Sequence, residues 1–342
     1  MEKKFQIPDW FRLESGQALL RPEVVYHTYG ELNATQDNVV WICHALTANA
    51  DTTDWWDGLV GEGKFIDPTK YFIVCANILG SCYGTTGPLS IDPATQEPYY
   101  HTFPLVTVRD MVEAHVLLRQ HLGIARIHLA IAGSLGGHQV LEWLVREPSI
   151  FDQAAVIATS ARHSPWGIAF NESQRFAIEQ DPTWKESNAE AGLSGLQVAR
   201  SIAMLSYRSY ETYHIAQLDK PGKIDGYRAS SYQRYQGEKL AKRFNTFSYW
   251  ALSKAMDSHD LSRDRGGNVA EVLQSITTPL LTVSITSDLL FPPHEQEFIA
   301  KHVQNGTHNS ITSIYGHDGF LLEFETLSGL VDAFVKEYQP VL

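Results

Sequence analysis

Cysteine is scarce in this sequence: the 342 residues include only three, Cys43, Cys75 and Cys82, and no two of them form a C-x-x-C pair. Such a small, odd set argues against a disulfide framework and a zinc ribbon, so we predict a reducing compartment and no metal site. Basic residues are also few, 27 against 39 acidic ones, and the net charge is −12. This balance argues against nucleic acid or an anionic membrane as the main partner and favours small molecules.

Long apolar segments are missing as well. The N-terminal residues Met1–Pro8 lack the apolar core of a signal peptide, and no segment approaches the roughly 18 apolar residues that a membrane-spanning helix requires. We therefore expect a cytoplasmic protein. With 44% hydrophobic and 11% aromatic residues, the chain can bury a large core as one domain or as a domain with an insertion.

Several apolar, β-branched runs are typical of strands buried on both faces, which indicates a mostly parallel sheet. These predicted strands lie within residues 38–46, 71–79, 126–133, 154–161, 278–288 and 309–318. Between the second and third runs, residues 107–123 have helical spacing, and Thr107 with Asp110 resembles a capping box. The alternation of strand and helix predicts an α/β fold, closed by a last helix within 327–338.

The segment from about residue 166 to about residue 265 differs from the rest. It is rich in Tyr and Arg, it has long helix-like stretches, and it contains no clear buried strand. Because strand patterns return after it, we predict a helical insertion over 166–265 between two parts of one α/β core, 1–165 and 266–342.

A serine lies at the end of the third predicted strand. The sequence Ala132-Gly133-Ser134-Leu135-Gly136 follows the strand and opens a helix predicted from Gly136 to just before Pro148. It differs from the G-x-S-x-G pattern of a nucleophile elbow only by a small Ala at the first position. Ser134 is therefore a candidate nucleophile; the alternatives are a helix N-cap and, less well matched because no Lys follows Gly137, a phosphate loop.

A serine nucleophile requires a neutral imidazole to take its proton and a carboxylate to orient that imidazole. In the chain order of this fold, serine, acid and histidine, Asp288 and His317 each follow a predicted strand and are 29 residues apart. They are our candidate acid and base. Other histidines fit the order less well, being at a predicted helix start or beside a turn: His294, His302 and His308.

The tetrahedral intermediate requires two N–H donors. The Leu135 amide, next to the nucleophile, is one candidate, and the Leu46 amide, or that of Thr47, after an earlier strand is the other. We interpret Cys43 as a packing residue of that strand rather than a thiol nucleophile. His44 precedes Ser134 in the chain, which favours a structural role over a catalytic one.

These residues resemble a known family, the homoserine O-acyltransferases of methionine biosynthesis, which have the α/β-hydrolase fold. The resemblance extends over nearly the whole chain and includes "CHALTANADTTDWWDGLVG", "NILGSCYGTTGP", "TVRDMVEAH", "GSLGGHQVLEW", "IAFNE", "YQGEKLAKRF", "SKAMDSHDL", "SDLLFPP" and "GHDGFLLE". It implies a Ser134, Asp288 and His317 triad, a helical lid over 166–265 and a homodimer packed through lid helices.

The resemblance also implies that Arg200 and Asp318 bind the amino-acid substrate. A guanidinium can hold the carboxylate of homoserine, and a carboxylate can pair with its ammonium group. The alternative roles are a surface charge on a lid helix for Arg200 and a turn residue for Asp318. The implied reaction is acetyl transfer from acetyl-CoA, a co-substrate, to homoserine, with no permanently bound cofactor.

The chain departs from the family pattern at a few positions. It has Ala132 where the family often has Gly, Leu135 and His138 where it often has Met, and a lid that looks short. A succinyltransferase on homoserine or serine and an ester hydrolase are therefore kept as alternatives. The loop Thr47–Asp51 contains no Lys or Arg and ends in an acid, so it favours an acetyl over a succinyl donor, whose carboxylate would need a cation. Arg162, His163 and Asn49 could still reach the acyl pocket.

Overall fold

The computed structural model describes residues 2–338. Its strands are β1 (Glu2–Gln6), β2 (Trp10–Arg12), β3 (Ala18–Leu20), β4 (Glu23–Tyr29), β5 (Val39–Cys43), β6 (Phe72–Ala76), β7 (Ile127–Gly133), β8 (Phe151–Ile157), β9 (Leu280–Ile285) and β10 (Gly306–Ile311). Eight of them form one sheet in the order β1-β4-β6-β5-β7-β8-β9-β10, and β2 pairs with β3 separately. From β6 to β10 every pairing is parallel, whereas β1 and β4 are antiparallel.

Helices cover both faces of this sheet. They are α1 (Thr52–Trp55), α2 (Val108–His121), α3 (Leu135–Arg146), α4 (Pro165–Glu179), α5 (Leu193–Tyr207), α6 (Tyr210–Gln217), α7 (Arg228–Ala241), α8 (Thr246–Asp257), α9 (Val269–Gln274), α10 (Pro293–His302) and α11 (Phe324–Glu337). Short 3-10 helices occupy Tyr100–Thr102, Pro148–Ile150 and Gly316–Leu321. No helix within residues 2–338 is both long enough and apolar enough to cross a membrane.

The central strands are buried on both faces, as their continuous apolar sequences predict. In β5, Trp41 and Cys43 face the core that contains α2 and α3, while Val40 and Ile42 face the core that contains α11. The capping box of α2 is confirmed: Thr107 accepts from the Asp110 N–H, and the Asp110 carboxylate accepts from the Thr107 N–H. The predicted α/β-hydrolase architecture is thus present, with a mostly parallel sheet.

Six helices, α4 to α9, lie between β8 and β9, which are adjacent in the sheet, and α4 to α8 lie in the region of the predicted insertion. The chain therefore leaves the sheet after β8, forms a helical layer and returns to the neighbouring position. In this layer α5 packs against both α4 and α7, and α8 packs against α4. The exact limits of the insertion, 166 and 265, stay a prediction.

Two parts of the strand prediction differ from the structure. The sequence patterns include no strand before residue 38, yet β1–β4 lie there; β1 is an edge strand whose residues are mostly exposed, so it lacks an apolar pattern. The last predicted strand, within 309–318, is displaced, because β10 ends at Ile311 and a turn leads to His317. His308, interpreted as a turn residue, lies inside β10.

The ends of β5 and the start of α3 approach each other closely at Gly136. A Cβ atom on Gly136 would lie 2.1 Å from the carbonyl oxygen of Cys43. This distance is far below van der Waals contact, and a backbone carbonyl cannot move aside as a flexible side chain can. The absence of a side chain at Gly136 therefore brings the segment after β5 next to the serine that opens α3.

We predict that Gly136→Ala lowers the free energy of unfolding by about 2 kcal/mol or more, because the new methyl group overpacks the contact with Cys43. Gly329→Ala, in α11, is the matched control, since nothing lies within 4 Å of its Cβ position. It should raise stability by roughly 0.5–1 kcal/mol through the helix propensity of Ala. Urea denaturation measures both, and equal effects would contradict the close approach.

Candidate active site

Ser134 occupies a strained turn between β7 and α3. Its φ of 56° and ψ of −128° lie outside the regions that non-glycine residues favour. The Ser134 N–H donates to the Ile157 carbonyl at 3.0 Å, and the Thr159 hydroxyl donates to the Ser134 carbonyl at 2.8 Å. Ser134 occupies the N-cap position of α3, but its side chain makes no capping hydrogen bond to the helix. The helix begins at Leu135, one residue before the prediction.

The structure brings the three predicted triad residues together. His317 Nε2 lies 2.9 Å from Ser134 Oγ, and His317 Nδ1 lies 2.8 Å from Asp288 Oδ2. The other carboxylate oxygen of Asp288 accepts the backbone N–H groups of Leu290 and Phe291 at 2.8 and 3.0 Å. All three side chains are buried. The carboxylate is therefore held by the turn after β9 and can orient the imidazole toward the serine.

Electrostatics favour proton uptake by His317. Burial lowers the pKa of His317, but the charge of Asp288 and its hydrogen bond outweigh burial, so the pKa lies above its ordinary value. The aromatic rings of Tyr207, Phe291 and Phe320 surround the imidazole, with centroid distances of 5.7, 5.3 and 5.4 Å. His317 thus lies among aromatic rings with Asp288 as its hydrogen-bonded anionic partner, and the charge of Asp318 acts in the same direction on its pKa.

The remaining histidines near the elbow are buried and uncharged. His138 stacks on His259 with ring centroids 4.0 Å apart, and its Nε2 lies 3.2 Å from the Ser160 hydroxyl. Burial lowers the pKa of His259 to about 3 and that of His163 to about 4, and it holds the pKa of His138 well below its ordinary value. The His138 ring is therefore a neutral, stacked packing group.

The two candidate oxyanion donors, the N–H groups of Leu46 and Leu135, donate to no acceptor in residues 2–338. Leu46 follows β5 in a turn, and Leu135 opens α3. The contact between Gly136 and Cys43 brings these two segments together. Both N–H groups are therefore unused by the fold and stay candidate donors for a developing negative charge.

Cys43 and His44 have structural surroundings. Burial raises the pKa of the Cys43 thiol well above its usual range, which disfavours the thiolate that a nucleophile requires. The His44 ring is also buried: Nδ1 lies 2.8 Å from the Ala45 carbonyl oxygen, and Nε2 lies 3.2 Å from the Ile78 nitrogen. Burial lowers the pKa of His44 to about 4, so the ring is neutral. Neither nitrogen is free to act as a base.

The rival histidines lie elsewhere. His302 Nδ1 contacts the Phe298 carbonyl at 2.8 Å, and His308 Nδ1 lies 3.0 Å from the Thr282 hydroxyl. His294 is exposed in the first turn of α10. None of the three contacts Ser134 in the described residues, and within residues 2–338 no group of His, Cys, Asp and Glu is arranged to hold a metal ion.

Arg200 and Asp318 both lie close to His317. The Arg200 guanidinium lies over the Tyr207 ring, 5.1 Å from its centroid, and that ring faces His317. Asp318 follows the base directly, and its Oδ2 is 3.0 Å from Arg208 Nε. Burial raises the pKa of Asp318, although the charges of Arg208 and Arg200 act in the opposite direction.

Arg208 is a charged group that the sequence interpretation does not include. It is the C-cap residue of α5, in extended backbone, and this position lets its side chain reach Asp318. No local sequence pattern identifies it, because Arg208 and Asp318 are distant in the chain. The site therefore contains two guanidinium groups and one carboxylate next to the base.

The structure also places a cation against the loop that follows Leu46. Arg243, in the turn after α7, donates from Nη1 to the Thr47 carbonyl and to the Tyr83 hydroxyl, both at 2.6 Å. The loop itself contains no Lys or Arg, as its sequence shows, but the folded chain brings Arg243 against it. A residue 196 positions away along the chain supplies the charge, which a local reading of Thr47–Asp51 cannot detect.

The three other residues considered as donors to the acyl pocket, Arg162, His163 and Asn49, contact other groups of the protein. Arg162 pairs with Asp260 at 2.7 Å, and His163 is buried against α4. Asn49 donates to Asp54 at 3.0 Å.

Comparisons with known proteins agree with this architecture. The model of the α/β-hydrolase fold family matches residues 38–324. The chain is 49% identical over 333 residues to a homoserine O-acetyltransferase from Cyclobacterium marinum, with 97% of this chain and 95% of that protein covered. It is 46% identical to a homoserine O-acetyltransferase from Trichormus variabilis, over 96% of this chain and 92% of that protein.

A solved structure is similar as well. The crystal structure of homoserine O-acetyltransferase from Bacillus anthracis superimposes with a TM-score of 0.92 at 24% identity, over 98% of this chain and 97% of that one, and it supports the fold. The sequence relatives share far more residues with this chain over nearly its full length. The chain therefore belongs to the homoserine O-acetyltransferase family, on the α/β-hydrolase fold.

Proposed function

We propose that this protein transfers an acetyl group from acetyl-CoA to the side-chain hydroxyl of L-homoserine in two steps through an acetyl-enzyme. The observation that carries the proposal is the continuous contact from Ser134 through His317 to Asp288. A serine hydroxyl becomes an effective nucleophile when a neutral imidazole takes its proton in the same step. The names of the relatives support acetyl as the group and homoserine as the acceptor.

In the first step, His317 Nε2 takes the proton of Ser134 Oγ as this oxygen bonds to the thioester carbonyl carbon. The carbonyl oxygen gains the negative charge and accepts hydrogen bonds from the Leu46 and Leu135 N–H groups. The intermediate then collapses, the carbon–sulfur bond breaks, and His317 returns the proton to the leaving sulfur. Free coenzyme A departs and an acetyl ester remains on Ser134.

In the second step, the homoserine hydroxyl attacks the acetyl ester, in the role that water has in an ester hydrolase. His317 removes its proton as the oxygen bonds to the acetyl carbon, and the same two donors stabilise the oxyanion. The bond to Ser134 Oγ then breaks and the serine takes the proton from His317. The products are O-acetylhomoserine and the free enzyme, a reaction that fits methionine biosynthesis.

Homoserine is expected to bind between Arg200 and Asp318. The planar guanidinium can hold the amino-acid carboxylate with two hydrogen bonds, and the Asp318 carboxylate can pair with the ammonium group. Arg208 already contacts Asp318 Oδ2, so the ammonium is expected to approach Oδ1. The added positive charge favours the ionised form of Asp318, against the effect of its burial.

An acetyl donor is proposed over a succinyl donor. Asp51 is held by Tyr29 and Thr53, and these hydrogen bonds lower its pKa although burial acts to raise it, so it stays anionic and would repel a succinyl carboxylate. The Arg243 charge is the counter-argument, but its Nη1 is bonded to Thr47 and Tyr83. The relatives named above are acetyltransferases.

A homodimer in the cytoplasm is also proposed, with no permanently bound cofactor. Its interface would be formed by the helical layer, because large apolar side chains are exposed there. These residues are Phe176, Val198, Leu205, Ile215, Leu218 and Ile224. Exposed apolar surface of this kind is typical of a protein–protein interface.

We predict that Ser134→Ala lowers turnover by on the order of a million-fold while the fold is retained. Mixed with acetyl-CoA alone, the wild type should gain one acetyl group on Ser134, measured by intact-protein and peptide mass spectrometry, and the variant should gain none. Ser275→Ala, an exposed serine at the end of α9, is the control and should behave as the wild type.

The same preparation separates the alternative activities. With homoserine, coenzyme A release should accelerate and O-acetylhomoserine should accumulate. Rapid release without homoserine would indicate a hydrolase, and an adduct on Cys43 would refute the nucleophile. A tenfold preference in kcat/KM for succinyl-CoA, about 1.4 kcal/mol, would refute the acetyl donor.

Arg200→Lys keeps the charge but loses the planar pair of donors. We expect the KM for homoserine to rise roughly tenfold or more, while acetylation of Ser134 by acetyl-CoA stays nearly unchanged. Rapid-quench measurement of the two half-reactions tests this, with Arg234→Lys, exposed on α7, as the control. Equal loss in both half-reactions would mean that Arg200 supports the lid and does not bind the amino acid.

The dimer is tested by mass in solution. Light scattering should give twice the chain mass of 38.4 kDa, and Leu205→Asp should yield a monomer, because a buried unpaired charge is costly. Ile91→Asp replaces an apolar residue that is similarly exposed, 54% against 55%, outside the helical layer, so it should leave the dimer intact. A monomeric wild type would disprove the interface.

A further inference from the structure

The peptide unit that joins Ala45 to Leu46 carries the Leu46 N–H proposed above as an oxyanion donor. This peptide is trans, and peptide units are planar. In a trans peptide the C=O and N–H bonds point in opposite directions. Any group that fixes the direction of the Ala45 carbonyl therefore also fixes the direction of the Leu46 N–H.

Two donors hold the Ala45 carbonyl oxygen. The Ala48 N–H lies at 3.1 Å and closes a turn, and the His44 Nδ1 lies at 2.8 Å. The ring's other nitrogen, Nε2, lies 3.2 Å from the backbone nitrogen of Ile78. A backbone N–H can only donate, so Nε2 must accept, and in a neutral ring the hydrogen then resides on Nδ1. The tautomer that the Ile78 contact selects is the one that donates to Ala45.

A second side chain connects the segments that carry the two proposed oxyanion donors. The Gln139 amide nitrogen lies 3.2 Å from the His44 carbonyl oxygen and 3.2 Å from the Leu135 carbonyl oxygen. Its amide oxygen lies 2.9 Å from His115 Nε2, which fixes the orientation of the amide. Gln139 is fully buried on α3, so the segment after β5 is tied to the start of that helix.

We propose that His44 is a positioning residue that aims the Leu46 N–H at the oxyanion by holding the Ala45 carbonyl, with Gln139 keeping the Leu46 and Leu135 donors at a fixed separation. The inference rests on the proposed function in one respect: an oxyanion forms beside Ser134. His44 touches neither substrate nor the reacting atoms. Because its ring is neutral, it contributes no charge and acts only by fixing the direction of the Ala45–Leu46 peptide unit. Leu46 itself lies in a turn, with no strand or helix to orient it.

Two substitutions distinguish this role from a structural one, in which His44 would only tie its segment to Ile78. In His44→Asn the amide nitrogen can occupy the position of Nδ1 and donate to Ala45, but nothing reaches Ile78. In His44→Gln the longer amide can accept from Ile78, but no donor remains at the Nδ1 position. If His44 only ties its segment to Ile78, the Gln variant should retain more activity than the Asn variant. If His44 orients the Leu46 N–H through the Ala45 carbonyl, the Asn variant should retain more activity than the Gln variant.

The readout is the pre-steady-state rate of Ser134 acetylation by 4-nitrophenyl acetate, which requires neither acetyl-CoA nor homoserine. We expect the Asn variant within about fivefold of the wild type and the Gln variant slower by roughly 10- to 100-fold, with KM for the ester changed less than about twofold, because loss of an oxyanion donor affects the transition state and not substrate binding. The reverse order of the two variants would overturn the proposal, as would equal rates.

A measurement on the wild type keeps the test valid if a variant does not fold. Nitrogen-15 NMR of histidine-labelled protein should show His44 as the Nδ1–H tautomer, and an Nε2–H tautomer would overturn the proposal. Ser134→Ala distinguishes a failure of the proposed function from a failure of the role proposed for His44. A nitrophenol burst that survives in this variant would refute the nucleophile, and hence the proposed function, whereas its loss together with the wrong order at position 44 would refute the role of His44 alone.

Discussion

The backbone conformation of Ser134 is the constraint on which the rest of the site depends. A non-glycine residue at φ 56° costs about 1–3 kcal/mol, so the surrounding structure must hold it. It does so through contacts that also build the fold: the Ser134 N–H donates to β8, Thr159 holds the Ser134 carbonyl, and Gly136 lets α3 touch the end of β5. The serine is therefore presented by the sheet itself and needs no flexible loop.

Charge is distributed so that a single imidazole near the serine gains protons readily. Four histidines around the elbow are buried without a carboxylate that outweighs burial, and their pKa values are lowered: His44, His138, His163 and His259. His317 is equally buried, but Asp288 raises its pKa. Burial lowers the pKa of all five imidazoles, and only at His317 do neighbouring carboxylates, chiefly Asp288 and also Asp318, outweigh it.

Local sequence patterns identify the triad because each of its members lies in a turn or loop that follows a strand, in a fixed chain order. Ser134, Asp288 and His317 could therefore be placed without an alignment, although β10 ends earlier than its apolar run indicates. Arg243 and the function of His44 could not be predicted, since they depend on contacts with Thr47 and Ile78 that only the folded chain creates. The edge strand β1 escaped prediction because pairing with β4, not burial, keeps it in place.

The order of these residues along the chain has a consequence during synthesis. Ser134 is synthesised first, and His317 follows 183 residues later, after all six helices between β8 and β9. Domains are assembled from the N-terminus as they emerge. A nascent chain can thus complete the sheet from β1 to β8 while its serine has neither acid nor imidazole. Chains released before His317 has been synthesised therefore contain Ser134 without the imidazole and the hydrogen-bonded carboxylate that accompany it in the folded protein.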